Sequence, residues 1–352
     1  MLILGIFGIS KFDNKNQTPD QPLKVGALLL LSGDFTSYGE RSQNAIEIAV
    51  DEYNANPNNK RKVEVVYEDT HGDPKQAVSA YTKLVNVDKV DAIVGPLLQA
   101  EAAAITPLIE KDKIPVFSVA PVPIERRSSL GNPLVVWPDP TLEAEQMAQY
   151  VFDDGIRSVG IVGTQDSWEN EVSEAFAKKF QSLGGTVTSK EITLQTEKDV
   201  RLPATKVIST KPEAIFLGTY YQFFPFVKSI REQGYKGKLY SIEIDTYLAE
   251  QTKSLSDGLK FISPDSYTDD FIKEFNKRYG QNPTLPAGQA HDAMGILLSL
   301  FSKYGDKDDV LKAMVDFKQY DGVSGPISFD NHKAIFPLSI FEIQNGIIQK
   351  LK

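Results

Sequence analysis

The chain has 352 residues, 41% of them hydrophobic, which is more than one core usually serves and predicts two domains. A formal net charge of −9 argues against grip on phosphate backbones, so nucleic acid is not an expected partner. Cysteine is absent, which removes thiolate nucleophiles, disulfides and thiolate metal sites.

The apolar start MLILGIFGIS is short of the roughly 20 residues that span a bilayer. It is similar to the apolar part of an export signal, without the usual basic residues before it or small-residue cleavage site after it. KFDNKNQTPDQP then reads as a disordered spacer, which closes a leader over residues 1–22.

From Leu23 onward, strand-like runs alternate with amphipathic helical stretches. LKVGALLLL predicts a strand, YGERSQNAIEIAVDEYNAN a helix with Ala45, Ile48, Ala49 and Tyr53 inward, and KVEVVYED a strand. DPKQAVSAYTKLVNV predicts a helix that starts through Asp73-Pro74, and DAIVG, a helix from about Gln99 to Lys111, and IPVFSV follow. This order predicts a parallel sheet covered by helices. A second round begins near Ser158, where SVGIVGTQDSWENEVSEAF repeats the layout of KVGALLLLSGDFTSYGERS, and AIFLGTYYQFFPFVKSI later repeats AIVGPLLQAEAAAITPLI. Two occurrences imply two similar α/β lobes, not a solenoid. In open parallel sheets ligands sit beyond the carboxyl ends of the strands, so two such lobes would hold one ligand between them.

Neither GxxxxGK[ST] nor GxGxxG follows a predicted strand; VGPLLQAEA carries one glycine, and Pro96 removes a backbone donor. A nucleotide cradle is therefore not expected. His71 with Asp69 and Asp73 allows a metal reading, but a helix starting at Asp-Pro already explains those acids as caps. His291 beside Asp292 suggests a triad, yet neighbours on a helix point in different directions and no GxSxG elbow supplies a serine. His291 reads instead as a helix residue near a lobe edge. Glu68-Asp69 and Asp269-Asp270 read as solvated or turn acids, so neither catalysis, metal nor cofactor is expected. Shape and polarity remain. Tyr38 follows the first strand, Trp168 occupies the matching loop of the second lobe, Tyr220-Tyr221 ends the AIFLG strand, and Glu243 ends LYSIE. Each aromatic alone reads equally as a lid on a core and Glu243 as a solvated acid; together they suggest a pocket wall.

KVGALLLLSGDFTSYG, EDTHGDPKQA, AIVGPLLQAEAAAI, KIPVFSVAP and QAHDAMGILLSL, in that order and spacing, resemble the type I periplasmic binding proteins. The likeness runs from Leu23 to Lys352 and is greatest to the leucine/isoleucine/valine-binding group that feeds amino-acid ABC importers. The resemblance implies an α/β fold of two doubly wound parallel-sheet lobes joined by a three-segment hinge, with crossings near Val136 to Asp139, at Ser263-Pro264 and near Ser328 to Asp330. Lobe one would comprise 23–137 and 265–328, and lobe two 138–264 and 329–352. It further implies an extracytoplasmic solute-binding protein, not an enzyme, that hands a small-molecule ligand to a membrane permease.

In family members that bind amino acids, the loop after the Gly-Pro strand gives backbone groups and a serine to the ligand carboxylate. The loop after IPVxS gives a threonine or serine. The corresponding positions here are Leu97, Leu98 and Gln99 in the first loop and Ala120, Pro121 and Val122 in the second, so both hydroxyls are missing. Tyr38 matches the lobe-one aromatic, Trp168 stands where a tyrosine is common, Tyr220 matches the lobe-two tyrosine, and Glu243 matches the acid that receives the ligand ammonium. The resemblance thus implies an amine-bearing solute, an amino acid or derivative, with its α-carboxylate in doubt. Two other readings stay open: a sensor of amides or amino acids with the same fold, and a bilobal enzyme, for which no base and nucleophile stand out.

Overall fold

The computed structural model describes residues 21–33, 35–59, 61–122, 131–264, 267–330 and 333–351. All of the leader expected at 1–22 except its last two residues lies outside these.

The chain first lays down β1 (Leu23–Leu29), α1 (Thr36–Ala55), β2 (Val63–Asp69), α2 (Pro74–Lys83), β3 (Ala92–Val94), α3 (Gln99–Asp112), β4 (Val116–Ser118) and β5 (Leu134–Val135). It continues through α4 (Pro140–Asp153), β6 (Ser158–Thr164), α5 (Ser167–Ser182), β7 (Thr186–Thr193), α6 (Arg201–Ser209) and β8 (Ala214–Gly218). Next come α7 (Phe223–Glu232), β9 (Lys238–Ile242), α8 (Thr246–Thr252) and β10 (Lys260–Pro264). The last segment holds α9 (Asp269–Tyr279), α10 (Ala287–Tyr304), α11 (Lys307–Val315), β11 (Gln319–Gly322), β12 (Gly325–Asp330), β13 (Lys333–Ile335), β14 (Leu338–Gln344) and β15 (Ile347–Lys350).

Two lobes result. The first sheet has the order β2-β1-β3-β4-β5 and is parallel throughout. The second contains β7-β6-β8-β9-β10, also parallel, extended by the antiparallel β14 and β15. In order of appearance both parallel sets read second, first, third, fourth, fifth, so the internal sequence repeat is a repeat of topology. Both faces of each sheet are buried. Val25, Ala27 and Leu29 pack into one core with α1 and α10, while Leu28 packs into another with α2 and α3. Ile161 and Val162 divide in the same way between two cores of the second lobe.

Capping acids set where many helices begin. Asp73 accepts from the Lys75 and Gln76 N–H groups ahead of α2, with Pro74 at its first position. Asp139, Asp166, Asp245 and Asp306 cap α4, α5, α8 and α11 likewise.

The crossing expected near Ser328 to Asp330 falls inside β12, and there the structure corrects the sequence reading. Phe329, Ala334 and Phe336 pack into the first lobe's core, and the chain joins the second sheet only at Leu338. The crossings lie side by side: Pro138 bridges to Ala334, and Ser263 and Pro264 pair with Ser339 and Leu338.

Candidate ligand-binding cleft

Both parallel sheets aim the carboxyl ends of their strands at one cleft between the lobes. Its empty space is about 590 Å³, a figure that takes in the open solvent of the mouth. Phe35 and Tyr38 reach it after β1, Leu97, Leu98, Gln99 and Ala100 after β3, Pro121 after β4 and Trp137 after β5. From the other side come Asp166 and Trp168 after β6, Tyr220 and Tyr221 after β8, and Glu243 after β9.

Backbone contact fixes the first wall. A Cβ on Gly39 would lie 1.9 Å from the Leu30 carbonyl oxygen, so only glycine lets α1 seat tightly against the end of β1 with Tyr38 at the cleft. Gly95, at φ +97°, turns the chain from β3 towards α3, and a Cβ there would meet the Leu28 carbonyl oxygen at 2.3 Å.

A buried carboxyl fixes the second wall. Glu169 accepts from the N–H groups of Thr164 (2.7 Å), Tyr220 (2.9 Å) and Tyr221 (3.1 Å) and from the Thr219 hydroxyl (3.1 Å). Burial pushes this carboxyl up to about 7, against the pull of these donors.

Glu243 sits at the base of the cleft, buried, with its backbone at φ +49°. A non-glycine residue there is strained, a feature that gathers at ligand sites. The Trp137 Nε1–H donates to its Oε1 at 3.0 Å. Burial raises the Glu243 carboxyl, while the Glu143 carboxyl and the Trp137 N–H, as donors, favour its ionised form. Glu143 is wholly buried in the first turn of α4; burial and the charge of Glu243 hold it well above the usual carboxylate range. Burial thus raises both carboxyls of the pair, and the two side by side favour holding a proton between them.

The lobes touch directly. The Ser167 hydroxyl donates to the Gln99 amide oxygen, and Gln99 Nε2 donates to Glu171 at 3.4 Å. Arg41 lies 3.5 Å from Asp245, which also accepts from the Tyr220 hydroxyl at 3.3 Å. Phe35 meets Tyr221 edge-on with centroids 5.5 Å apart, and Tyr38 meets Tyr220 at 6.3 Å.

Of the residues singled out from sequence, Tyr38, Leu97, Leu98, Gln99, Pro121, Trp168, Tyr220 and Glu243 meet in this cleft. Ala120 and Val122 do not line it. The Ser118 hydroxyl donates to the Ala120 carbonyl, and Ala120 and Val122 pack with Ala102 in a small core while Pro121 between them faces the cleft. Tyr221, read with Tyr220 as part of a pocket wall, also lines it, and Phe35, Ala100, Trp137 and Asp166 join the lining beyond those singled out. The aromatic in SGDFTS was an available signal; Trp137 was read only as a lobe boundary.

His291 lies buried in α10, 3.5 Å from Asp292 and 3.7 Å from Glu52, while Asp292 accepts from the Val323 and Ser324 N–H groups. His71 pairs with Asp69 at 3.2 Å, and Asp73 caps α2. Among the described residues no group of three or more His, Asp or Glu is placed to hold a metal ion.

A sequence profile of the family described as periplasmic binding protein matches residues 22–347. The chain is 28% identical over 204 residues to Leu/Ile/Val-binding protein BraC3 of Rhizobium johnstonii, a match over 56% of this chain and about half (55%) of that protein's length. It is 25% identical over 336 residues to Leu/Ile/Val-binding protein homolog 6 of Brucella abortus, covering 88% of this chain and 83% of the relative. The branched-chain amino acid transporter substrate binding protein LivJ of Streptococcus pneumoniae, solved in complex with isoleucine, has TM-score 0.84 at 21% identity, over 94% of this chain and 99% of that one.

Proposed function

Because the chain belongs to the periplasmic binding protein family, of the leucine/isoleucine/valine-binding type, we propose that it is the extracytoplasmic solute-binding protein of an ABC importer and encloses a small amine-bearing solute, an amino acid or derivative, by hinge closure. The observation that carries this reading is Glu243. It is a buried carboxylate, oriented by Trp137 and ringed by aromatic side chains from both lobes. Burying such a charge unpaired costs several kcal/mol, so closure favours a solute that brings a positive group. Aromatic faces stabilise the same charge through their electron-rich centres.

In this reading residues 23–137 and 267–336 form one jaw, and residues 138–264 and 338–351 the other. The three adjacent crossings are the hinge. The solute settles on one jaw, bridges to the other and shifts the balance towards the closed state by its higher affinity for it. A membrane permease then receives the closed form. No described helix is long and apolar enough to cross a membrane.

A thermal-shift screen of amino acids, polyamines, amides and small carboxylates tests the reading. A bound solute raises the melting temperature by linkage. Hits among amines are expected; stabilisation by amine-free carboxylates alone would reject the role given to Glu243.

A further inference from the structure

The acid that fronts the cleft has a second carboxyl at its back. Ala144 and Met147 of α4 pack with Tyr240 and Ile242 of β9 in one core, and this seats Glu143, in the first turn of α4, against Glu243, the residue that follows β9. Glu243 lines the cleft, whereas Glu143 lies wholly buried beneath it and outside the lining. Among the described residues no donor reaches either Glu143 oxygen, and the polar group against it is the Glu243 carboxyl.

Other titratable groups stand around the pair. Asp139, ahead of α4, disfavours a charge on Glu143. Glu171 of α5 accepts from the Thr141 hydroxyl in the same turn of α4. The Tyr38 phenol of α1 is near enough to feel the Glu243 charge, and the Trp137 Nε1–H donates to Glu243 at 3.0 Å. Lys238 of β9 and Lys260 of β10 lie at the far end of α4, on Asp154. Two ionised carboxyls packed together out of water repel strongly; a proton between them removes one charge and supplies the missing donor.

We infer that Glu143 is a positioning residue for the solute's charge: through a proton held in common with Glu243 it sets how much negative charge the cleft offers. This rests on the amine reading of the cleft and adds its control. With the proton in place the pair carries one negative charge; once the proton has left to solvent it carries two. An ammonium and that proton compete for the same charge, so affinity for an amine rises as pH rises and the proton is lost.

Trp137 reports on the pair without a ligand. In Trp168→Phe it is the remaining indole of the chain's two tryptophans, and its N–H bond to Glu243 makes its emission follow the charge there. A titration step with its midpoint above about pH 6 is expected, against about 4.3 for an ordinary glutamate. Adding Glu143→Gln, which keeps the size and a donor but takes no charge, is expected to lower that midpoint by about one pH unit or more. A step at the ordinary value, no step, or one midpoint with and without Glu143→Gln overturns the inference, whatever binds. Calorimetry with isopentylamine, which stays charged below about pH 10, reads the consequence for binding. Wild-type affinity is expected to rise about threefold or more from pH 6 to pH 8.5, and Glu143→Gln to flatten that rise. Equal wild-type affinity at both pH values overturns the inference and leaves the amine reading standing. Silence from isopentylamine at millimolar concentration, while the Trp137 step shifts as expected, upholds the pair and overturns the amine reading.

Discussion

The two walls of the cleft are built by different physics. On the first lobe, Phe35, Tyr38, Leu97, Leu98 and Pro121 are held by close backbone approach, and their surface is outline with little polarity. The polar exception, Gln99, is committed to Ser167 and Glu171 across the gap. On the second lobe, Asp166, Tyr220, Tyr221 and Glu243 are held by buried carboxyls and their donors. One topology, used twice, has thus produced a wall that shapes and a wall that carries charge. In the proposed function, cation recognition belongs to the second lobe, while the first lobe excludes water and completes the enclosure.

Removing the carboxyl that organises the second wall should have the largest effect. Glu169→Ala leaves the Thr164, Tyr220 and Tyr221 N–H groups without their acceptor and should lower stability by about 3 kcal/mol in urea denaturation. A loss under about 1 kcal/mol would mean that the wall stands by packing alone.

Glu243→Gln keeps the shape of the wall and removes its charge. Affinity for a bound amine should fall by more than about 2 kcal/mol in calorimetry, and unchanged affinity would move cation recognition away from this lobe.

The carboxyls also make a pH prediction. Burial raises Glu101 on the first lobe and Glu169 on the second to about 7, above the ordinary carboxylate value near 4.5. Between these values the folded state holds more protons than the unfolded chain, so this contribution is present at low pH and lost as pH rises through about 7. Denaturation at pH 5.5 and 8 should show lower stability at the higher pH, by about 1 kcal/mol or more, and Glu101→Gln should reduce the difference. A stability that climbs over that interval contradicts the assignment.

The smallest effect is expected where the walls meet. Gln99→Ala removes the link to Ser167 and Glu171, worth about 1 kcal/mol to the closed arrangement. Small-angle scattering of the ligand-free variant should report a larger radius of gyration. An identical radius would assign closure to the Arg41–Asp245 pair and the ring contacts instead.

Much of this site could be read early because it follows directly from apolar runs. Tyr38, Leu97, Leu98, Gln99, Trp168, Tyr220 and Glu243 stand a few residues beyond predicted strands, and in parallel sheets that position faces the ligand. Other residues gave no such signal. Glu143, inside the amphipathic stretch PTLEAEQMAQYV, looks like a surface acid until the Glu243 strand is laid beneath it. Asp166 reads only as a cap, a role it also fills. Arg41 and Asp245 are 204 positions apart (245 − 41), and nothing local pairs them. The third crossing, placed from the resemblance, lies later in the chain because β12 and β13 join β11 in a small sheet of their own and Phe329 and Phe336 pack into the first lobe's core, contacts that no local pattern announces.

Local chemistry, which the sequence carries whole, determined the alternating elements, the caps, the tight glycine turns and the strand ends that bear aromatics. Which carboxyls lose water, which of them lie against each other and which side chains span the two lobes were decided by the tertiary structure. The reason is that desolvation and long-range contact depend on what packs above a residue, and that neighbour comes from a distant part of the chain.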